Sequence, residues 1–485
     1  MSPPLPDGRR WYALAMLCTA AFMVILDGTI VFVAMPAISA DLGLDGDSGQ
    51  WVMTGYGLVF GGLLLLCGRV GDLLGRRRVF MVGAALFAVS SLGCGLAWRP
   101  EVLIAARAIQ GLSAAIMSPT ALSLVMTSFS EGAERNKALA IWGAVGGLGG
   151  TAGSLVGGPL TNGLGWKWIF FINVPVGLAL VVLSPLLLHR DEANAGRRTF
   201  DIGGAVTITA ALVLAVYVIV EVPENGLGGA GTLGPLAAAL VLAILFLVIE
   251  SRSRAPLVPL RLFRTRVLLG GNLTLLVIAM SVYGMSFTLT AYAQQVLGYN
   301  AIQYGLMTAV MAIVAAAASF IAEAVANRQG PRPIAAISLG LAAVGLLLLA
   351  RVSYPGTYVD DIFWGLLIFA PGLGAGFVAG TIASLTSVGE DDAGVAAGLS
   401  NTAWQVGGAL GISVMTSVAL ARVGDAGSAG PTAAVLTAAY RSAFATGAVL
   451  AVLGLVAALI LLRQPRRDTT GHPDAMPDAS PSRSS

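Results

Sequence analysis

Long apolar runs separated by short polar connections make up most of the chain. A helix needs about 20 mostly apolar residues to cross the hydrocarbon core of a bilayer. Fourteen stretches meet that requirement: 11–35, 51–68, 79–97, 102–129, 138–161, 166–188, 202–220, 233–250, 267–293, 302–325, 334–352, 362–388, 396–420 and 442–462. The pattern predicts an all-α polytopic membrane protein with 14 transmembrane helices. The longest connection, 421–441, is rich in Gly and Ala, so no soluble domain is expected between spans. Arg9 and Arg10 ahead of the first run imitate a signal peptide. That run is longer than a signal core, contains Asp27 and is followed by thirteen more, so it reads as a retained helix. Residues 463–485 are rich in Pro, Ser and Asp and are expected to form a disordered tail.

Lys and Arg in the connections set the orientation. With a cytoplasmic N-terminus, 22 of the 28 basic residues fall on the inner side and 5 on the outer, Arg107 alone lying inside a span. Both termini are therefore expected in the cytoplasm, which requires an even number of spans. The inner loop at Glu390, Asp391 and Asp392 carries no base. Acidic residues weigh little in orientation, so the assignment stands.

Composition narrows the class of function. Hydrophobic residues are 56 % of the 485 and charged residues 11 %, against about 25 % charge in a soluble domain. That excludes a water-soluble enzyme and, with so much apolar content, intrinsic disorder. Cys18, Cys67 and Cys94 each sit in an apolar run, and the two histidines, His189 and His472, fall in a loop and in the tail. No disulfide framework, zinc pattern or histidine proton relay follows from them. A net charge of +3 gives no electrostatic footprint for nucleic acid. Neither GxxxxGK[ST] nor HExxH occurs. No cofactor is expected, and uphill work would have to draw on an ion gradient. Arg outnumbers Lys 26 to 2, a bias that suggests a high-GC bacterial genome.

A faint repeat divides the chain. Gly68 to Arg78 follows the second span, Glu323 to Arg332 follows the tenth, and the alignment pairs Asp72 with Asn327, Gly75 with Gly330 and Arg77 with Arg332. This suggests a cytoplasmic N-terminus (1–10), an N-terminal six-helix bundle (11–188), a linker with two extra spans at 202–220 and 233–250 (189–266), a C-terminal six-helix bundle (267–462) and the tail (463–485). Duplicated halves with a binding site between them are a common transporter plan. The insert, uncharged within its spans, is expected to be peripheral.

Asp27 is the only carboxylate deep in a span and Arg107 the only base. A charge at the bilayer centre costs at least about 2.5–3.5 kcal/mol, so it calls for a function. At 1.5 Å per residue, Asp27 lies about 24 Å from the inner surface and Arg107 about 8 Å from the outer, which puts both in the outer half of the membrane. Asp27 is either a proton-binding carboxylate or an interfacial residue ending its helix before Pro36. Arg107 either meets Asp27 or snorkels outward. In the loop after the second span, Gly68 and Gly75 permit a tight turn and close helix approach, and Asp72 can pair with Arg76 or Arg77 or cap a helix. Seven glycines between 146 and 158, among them Gly149, Gly153, Gly157 and Gly158, form a small-residue face for tight helix contact or bending.

These residues resemble the fourteen-helix drug/proton antiporter branch of the major facilitator superfamily. Leu26 to Pro36 is similar to that branch's first-helix motif, Gly68 to Arg78 to the superfamily's cytoplasmic gate loop, and Leu103 to Gly111 to the fourth-helix motif. Trp166 to Gly177 and Gly398 to Gly408 are similar to the sixth-helix entry and the thirteenth helix. Three positions depart from the pattern: Ser154 replaces the fifth-helix motif's proline, Leu73 a gate-loop base, and Trp404 a frequent arginine. The resemblance implies a multi-pass bacterial cytoplasmic-membrane exporter of hydrophobic or cationic drug-like molecules, driven by protons and acting as a monomer by alternating access. It implies proton coupling through Asp27 and Arg107, switching through the gate loop, and polar cavity contacts from Gln110, Asn173, Asn401 and Gln405. Rival readings are a nutrient symporter with the same fold, a non-transporting sensor and an intramembrane enzyme. One Asp with one Arg is a poor catalytic cluster for the last of these.

Overall fold

Inside a bilayer no water is available to backbone N–H and C=O groups, so each apolar run must satisfy them within itself, and each folds as a helix. The computed structural model describes residues 7–44, 46–129, 133–188, 202–225, 229–253, 260–386, 388, 393–424 and 432–462. Its α-helices are α1 (Asp7–Leu42), α2 (Gly46–Leu74), α3 (Arg76–Gly95), α4 (Pro100–Ser128), α5 (Ala133–Gly163), α6 (Trp168–Phe171), α7 (Asn173–Leu187), α8 (Ile202–Asn225), α9 (Ala230–Arg252), α10 (Arg266–Ala291), α11 (Ala301–Gln329), α12 (Pro331–Leu349), α13 (Trp364–Thr386), α14 (Ala393–Gly424) and α15 (Ala433–Leu461). The short α6 and α7 meet at Ile172 and share one apolar run, Trp168–Leu187. Eleven stretches among the described residues are long and apolar enough to cross a membrane; α2, α5 and α8 stand outside that count.

The helices gather around two apolar cores. Leu17, Ile30, Phe80, Phe87, Phe129 and Phe170 belong to one, drawn almost wholly from α1–α7. Leu289, Tyr292, Leu339, Leu346, Phe369 and Phe444 belong to the other, drawn from the α10–α15 region. The faint repeat has a geometric counterpart. Gly75 and Gly330 both take positive φ, 94° and 79°, at the breaks between α2 and α3 and between α11 and α12. Two residues on, Arg77 Nη1 donates to the Leu188 carbonyl beyond α7 (3.2 Å), and Arg332 Nη2 donates to the Leu459 carbonyl in α15 (3.3 Å). Each arginine thus reaches the carbonyl-rich end of the last helix in its own half, where a cation is favoured.

Two sequence expectations change. Pro36 does not end the first helix; α1 runs through it to Leu42. Pro36 withdraws one N–H donor from that turn, and the nearby Val33 carbonyl accepts a hydrogen bond from Gln294 Nε2 of the other half (3.1 Å). The insert is also not peripheral as a whole. In the insert α9 turns apolar side chains outward along its length, with Leu240, Val241, Ile244 and Leu247 exposed. By contrast α8 lies against α2 and α14, one helix from each half. Leu212 and Val213 pack with Leu58 and Ala409, and the Thr209 hydroxyl donates to the Gly62 carbonyl (3.0 Å). The adjacent Gly61 carbonyl accepts from the Thr402 hydroxyl of α14 (3.0 Å). Three structural units therefore meet at two consecutive glycines. Apolar composition alone cannot tell a lipid-facing helix from one packed on protein, since lipid tails are as apolar as Leu.

A Cβ on Gly62 would fall 2.9–3.2 Å from three Thr209 side-chain atoms, so α8 would have to move to admit it. Gly62→Val is expected to lower the initial rate of transport in proteoliposomes by at least about fivefold, the scale of 1 kcal/mol of overpacking. Leu240→Ala on α9, by contrast, should stay within about twofold, as an exposed substitution does.

Candidate functional site

Three helices of the N-terminal half, α1, α4 and α7, meet at Asp27, and α2 and α3 hold its partners in place. Asp27 sits in mid-α1 and Arg107 in α4, both 0 % exposed. Arg107 Nη1 donates to Asp27 Oδ2 at 2.6 Å. On the same face of α4, one turn on, Gln110 Nε2 donates to Asp27 Oδ1 at 2.9 Å. Asn173, the first residue of α7, donates from Nδ2 to the same oxygen at 2.7 Å. Three donors facing one carboxylate is the arrangement for its ionised, acceptor-only form. Taking both ions out of water costs several kcal/mol per ion, and only such charge-assisted bonds offset it.

Other contacts orient the arginine. Its Nε donates to the Val52 carbonyl of α2 (3.2 Å), and its Nη1 also donates to Gln110 Oε1 (2.7 Å). The guanidinium carbon lies 4.2 Å from the centre of the Tyr56 ring, a cation–π distance. Tyr56 is itself fixed, because its hydroxyl donates to the Val24 carbonyl (3.0 Å). Gly111 allows this: a Cβ there would collide with the Tyr56 carbonyl, so only glycine lets α4 approach the α2 backbone. Gln110 is held from α3 by Ser91 Oγ, which accepts from Nε2 (2.7 Å), and by the Cys94 thiol, which donates to Oε1 (3.6 Å). Arg107 Nη2 and Asn173 Oδ1 have no hydrogen-bond partner among the described residues.

The structure places the predicted residues unequally. Asp27 and Arg107 are brought together, so Arg107 turns inward and does not snorkel. Gln110 and Asn173, expected as cavity polar groups, are wholly buried and bound to Asp27. Gln405 is nearly buried where α14 meets α2; a Cβ on Gly61 would lie 2.7 Å from its own Cβ. Asn401 lies half-buried one turn before it on α14. In the gate loop Gly75 makes the turn, while Gly68 is inside α2, its Cβ position 3.4 Å from Pro119 of α4. Gly68 thus serves close helix approach alone. Arg76 is half-buried and Arg77 reaches Leu188. The expected pairing of Asp72, and the acidic loop at Glu390 to Asp392, fall outside the described residues. The sequence reading missed Tyr56, Ser91, Cys94 and the Val52 carbonyl, whose types carry no signal in an apolar run.

The glycine face seats α5 on α1. Cβ atoms on Gly149 and Gly157 would lie 3.1 Å from Ile25 and 3.0 Å from Ile30, and one on Gly153 would collide with Thr29. These three positions follow a four-residue spacing against the turns on either side of Asp27. Gly158 faces the opposite half. A Cβ there would lie 2.7 Å from the Ala301 carbonyl and from the Ile302 Cα at the start of α11. Gly158→Val is expected to pry the halves apart at that end and, in the transporter that the resemblance implies, to slow transport of every substrate by about tenfold or more, since backbone cannot yield as a flexible side chain does. Equal loss across a panel of substrates, with unchanged membrane yield, is the measurement that checks it.

Where the halves face each other, aromatic rings form a chain. Phe32 of α1 meets Tyr283 of α10 (centroids 5.7 Å apart), Tyr283 meets Trp404 of α14 (6.2 Å), and Trp404 meets Phe377 of α13 (5.0 Å). The Tyr283 ring lies over Gly408, whose added Cβ would fall 3.2–3.3 Å from three ring carbons.

Comparison with known proteins agrees with this architecture. Residues 17–412 match the profile of the Major Facilitator Superfamily. The chain is 36 % identical over 482 residues to the puromycin resistance protein pur8 of Streptomyces alboniger, covering 97 % of this chain and 95 % of that one. It is 38 % identical over 411 residues to the cephamycin export protein CmcT of Amycolatopsis lactamdurans, covering 84 % of each. Among solved structures, a bacterial homologue of the human lysosomal transporter Spinster, inward-facing and occupied, superposes with a TM-score of 0.67 at 17 % identity, covering 94 % of this chain and 97 % of that one. At that identity the likeness concerns the fold.

Proposed function

The chain belongs to the Major Facilitator Superfamily, and on that premise we propose that it exports drug-like or antibiotic small molecules across a bacterial cytoplasmic membrane in exchange for protons. Relatives similar over nearly the whole chain are export and resistance proteins by name, which favours export over nutrient import. In this reading the α6–α7 pair counts as one span, and the protein is a monomer of 14 spans. Two six-helix bundles flank the α8–α9 insert, and both termini are cytoplasmic. The energy source is the proton gradient, with no bound cofactor.

The observation that carries the mechanism is the sealed set of donors around Asp27. A proton on the carboxylate cancels its charge and turns an acceptor oxygen into a donor among donors. Arg107 then loses its counter-ion, and at a buried site that change is worth kilocalories. The arrangement must be remade. Gln110 Oε1 is already taken by Arg107 and Cys94, whereas Asn173 Oδ1 still has acceptor capacity. Rotation of the Asn173 amide presents that oxygen to the protonated acid. Loss of the ionic tie between α1 and α4 shifts the balance between states that open to opposite sides, and substrate favouring one state is thereby coupled to the proton.

Export is tested in an efflux-deficient host loaded with a fluorescent dye. Cells making the protein should accumulate less dye than control cells, and a protonophore should erase the difference. Raised accumulation would instead identify an importer. Dye binding to the purified protein with no flux in vesicles would identify a sensor.

A further inference from the structure

Two side chains of α3, Ser91 and Cys94, stand behind Gln110, wholly buried and on one face of their helix. Gln110 Oε1 accepts from Arg107 Nη1 (2.7 Å) and from the Cys94 thiol (3.6 Å), and its Nε2 donates to Asp27 Oδ1 (2.9 Å) and to Ser91 Oγ (2.7 Å). A guanidinium can only donate and a carboxylate can only accept, so Oε1 must face Arg107 and Nε2 must face Asp27. Asn173 is held differently. Its Nδ2 donates to Asp27 Oδ1 (2.7 Å), and its own Oδ1 has no hydrogen-bond partner among the described residues. The seat of α3 does not depend on the ion pair. A Cβ on Gly83 of α3 would lie 2.8 Å from Ile116 of α4, and one on Gly177 of α7 would lie 2.9 Å from the Ala88 Cβ of α3. The titratable neighbours of Asp27 are Arg107 of α4, Tyr56 of α2, whose ring meets the guanidinium, and Cys94 of α3; α7 contributes none.

We propose that Ser91 and Cys94 are positioning residues for proton exchange: by holding Gln110 still, they seat the proton on Asp27 Oδ1, toward Asn173. This rests on the proton-exchange reading and assigns the atom that carries the proton. A proton on Oδ2 would face Arg107 Nη1, 2.6 Å away, which can only donate. A proton on Oδ1 faces two amides, and one of them must turn its oxygen to receive it. Turning Gln110 gives up the contacts to Arg107 and Cys94 and sets an NH2 group against the guanidinium. Turning Asn173 gives up only its contact to Asp27, which the acid proton replaces. A buried polar group left unmatched costs more than a typical hydrogen bond contributes. The amide with other commitments therefore stays, and the other moves. Two of those commitments come from α3, and both run between α3 and Gln110 alone, so a change of charge on Asp27 leaves them in place.

The test uses the full-length protein in lipid vesicles, with Cys18→Ala and Cys67→Ala so that Cys94 supplies the one thiol. Infrared spectra are taken through an acid titration. The S–H stretch falls where other protein groups do not absorb, and hydrogen bonding lowers its frequency. As Asp27 takes its proton, a single carboxyl C=O band should appear that Asp27→Asn lacks. Through that change the S–H band should keep the low frequency of a bonded thiol. Asn173→Val should move the carboxyl band to the higher frequency of an acid without an acceptor. Ser91→Ala combined with Cys94→Ala frees Gln110 to turn as well, so the carboxyl band should split in two. Each Gln110 atom keeps one partner in that variant, Arg107 or Asp27, so the fold is retained. Cys94→Ser alone keeps a donor to Oε1 and should return the single band. An S–H band that rises to the free-thiol frequency on acidification overturns the proposal, because Gln110 then turns with the charge. An unmoved carboxyl band in Asn173→Val, or a single unshifted band in the double variant, overturns it too. Absence of any Asp27 band sinks the proton reading and this proposal together. The expected bands with no uphill flux in vesicles would sink export and leave the assignment standing, so the failures are distinguishable.

Discussion

Asp27→Asn is expected to abolish gradient-driven export while leaving the protein folded in the membrane. The amide keeps the size of the side chain and, with its one oxygen in the place of Oδ2, can still accept from Arg107. It cannot take up a proton at any working pH, so one of the two charge states in the cycle is lost. Uphill export should fall to the level of empty vesicles. Substrate-for-substrate exchange needs no change at Asp27 and should persist. Loss of both activities with reduced membrane yield would make Asp27 a folding residue only. Persistence of uphill export would place the proton elsewhere.

Arg107→Met is expected to have the second largest effect, on stability as well as transport. It leaves the Asp27 carboxylate buried with two amide donors and no counter-ion. Breaking a buried pair from one side costs about 3–5 kcal/mol. The double substitution Asp27→Asn with Arg107→Met removes both charges and should regain much of that loss in a thermal unfolding assay, while remaining inactive in uphill export. Such non-additivity marks two residues acting as one unit. If the double substitution were instead as unstable as the sum of the singles, the residues would not interact energetically, whatever their 2.6 Å separation.

The helical plan was legible because apolar runs of membrane length leave the backbone no alternative to helix. Asp27 and Arg107 stood out for the same reason, as charges in runs that otherwise exclude them, and depth arithmetic placed them near one another. Gly75 and Gly330 were legible as a repeat, and the positive φ at both gives the repeat a physical basis. What the sequence did not reveal depends on packing between helices. Tyr56 and Ser91 are ordinary residues in a span until Gly111 lets α4 approach α2 and α3 supplies the hydroxyl. Gln110 and Asn173 are amides that fit a cavity wall or an ion-pair shell equally well, and only the register of α4 and α7 decides. Pro36 reads as a stop, yet α1 continues because a missing donor can be tolerated where surrounding helices support the turn. The place of α8 between α2 and α14 followed from Gly61 and Gly62, two glycines among the many of a membrane protein.

In the proposed cycle Asp27 gives up or takes a proton as substrate binds. Its most direct test is the proton count on adding a transported compound to the purified protein in weakly buffered solution, read with a pH electrode or indicator dye. Exchange of proton for substrate at a single carboxylate predicts release of up to about half a proton per chain at the midpoint of its titration, rising toward at most about one below it, by linkage between the two binding events. Asp27→Asn should bind the compound and release none. Equal release by the wild type and Asp27→Asn would contradict the account.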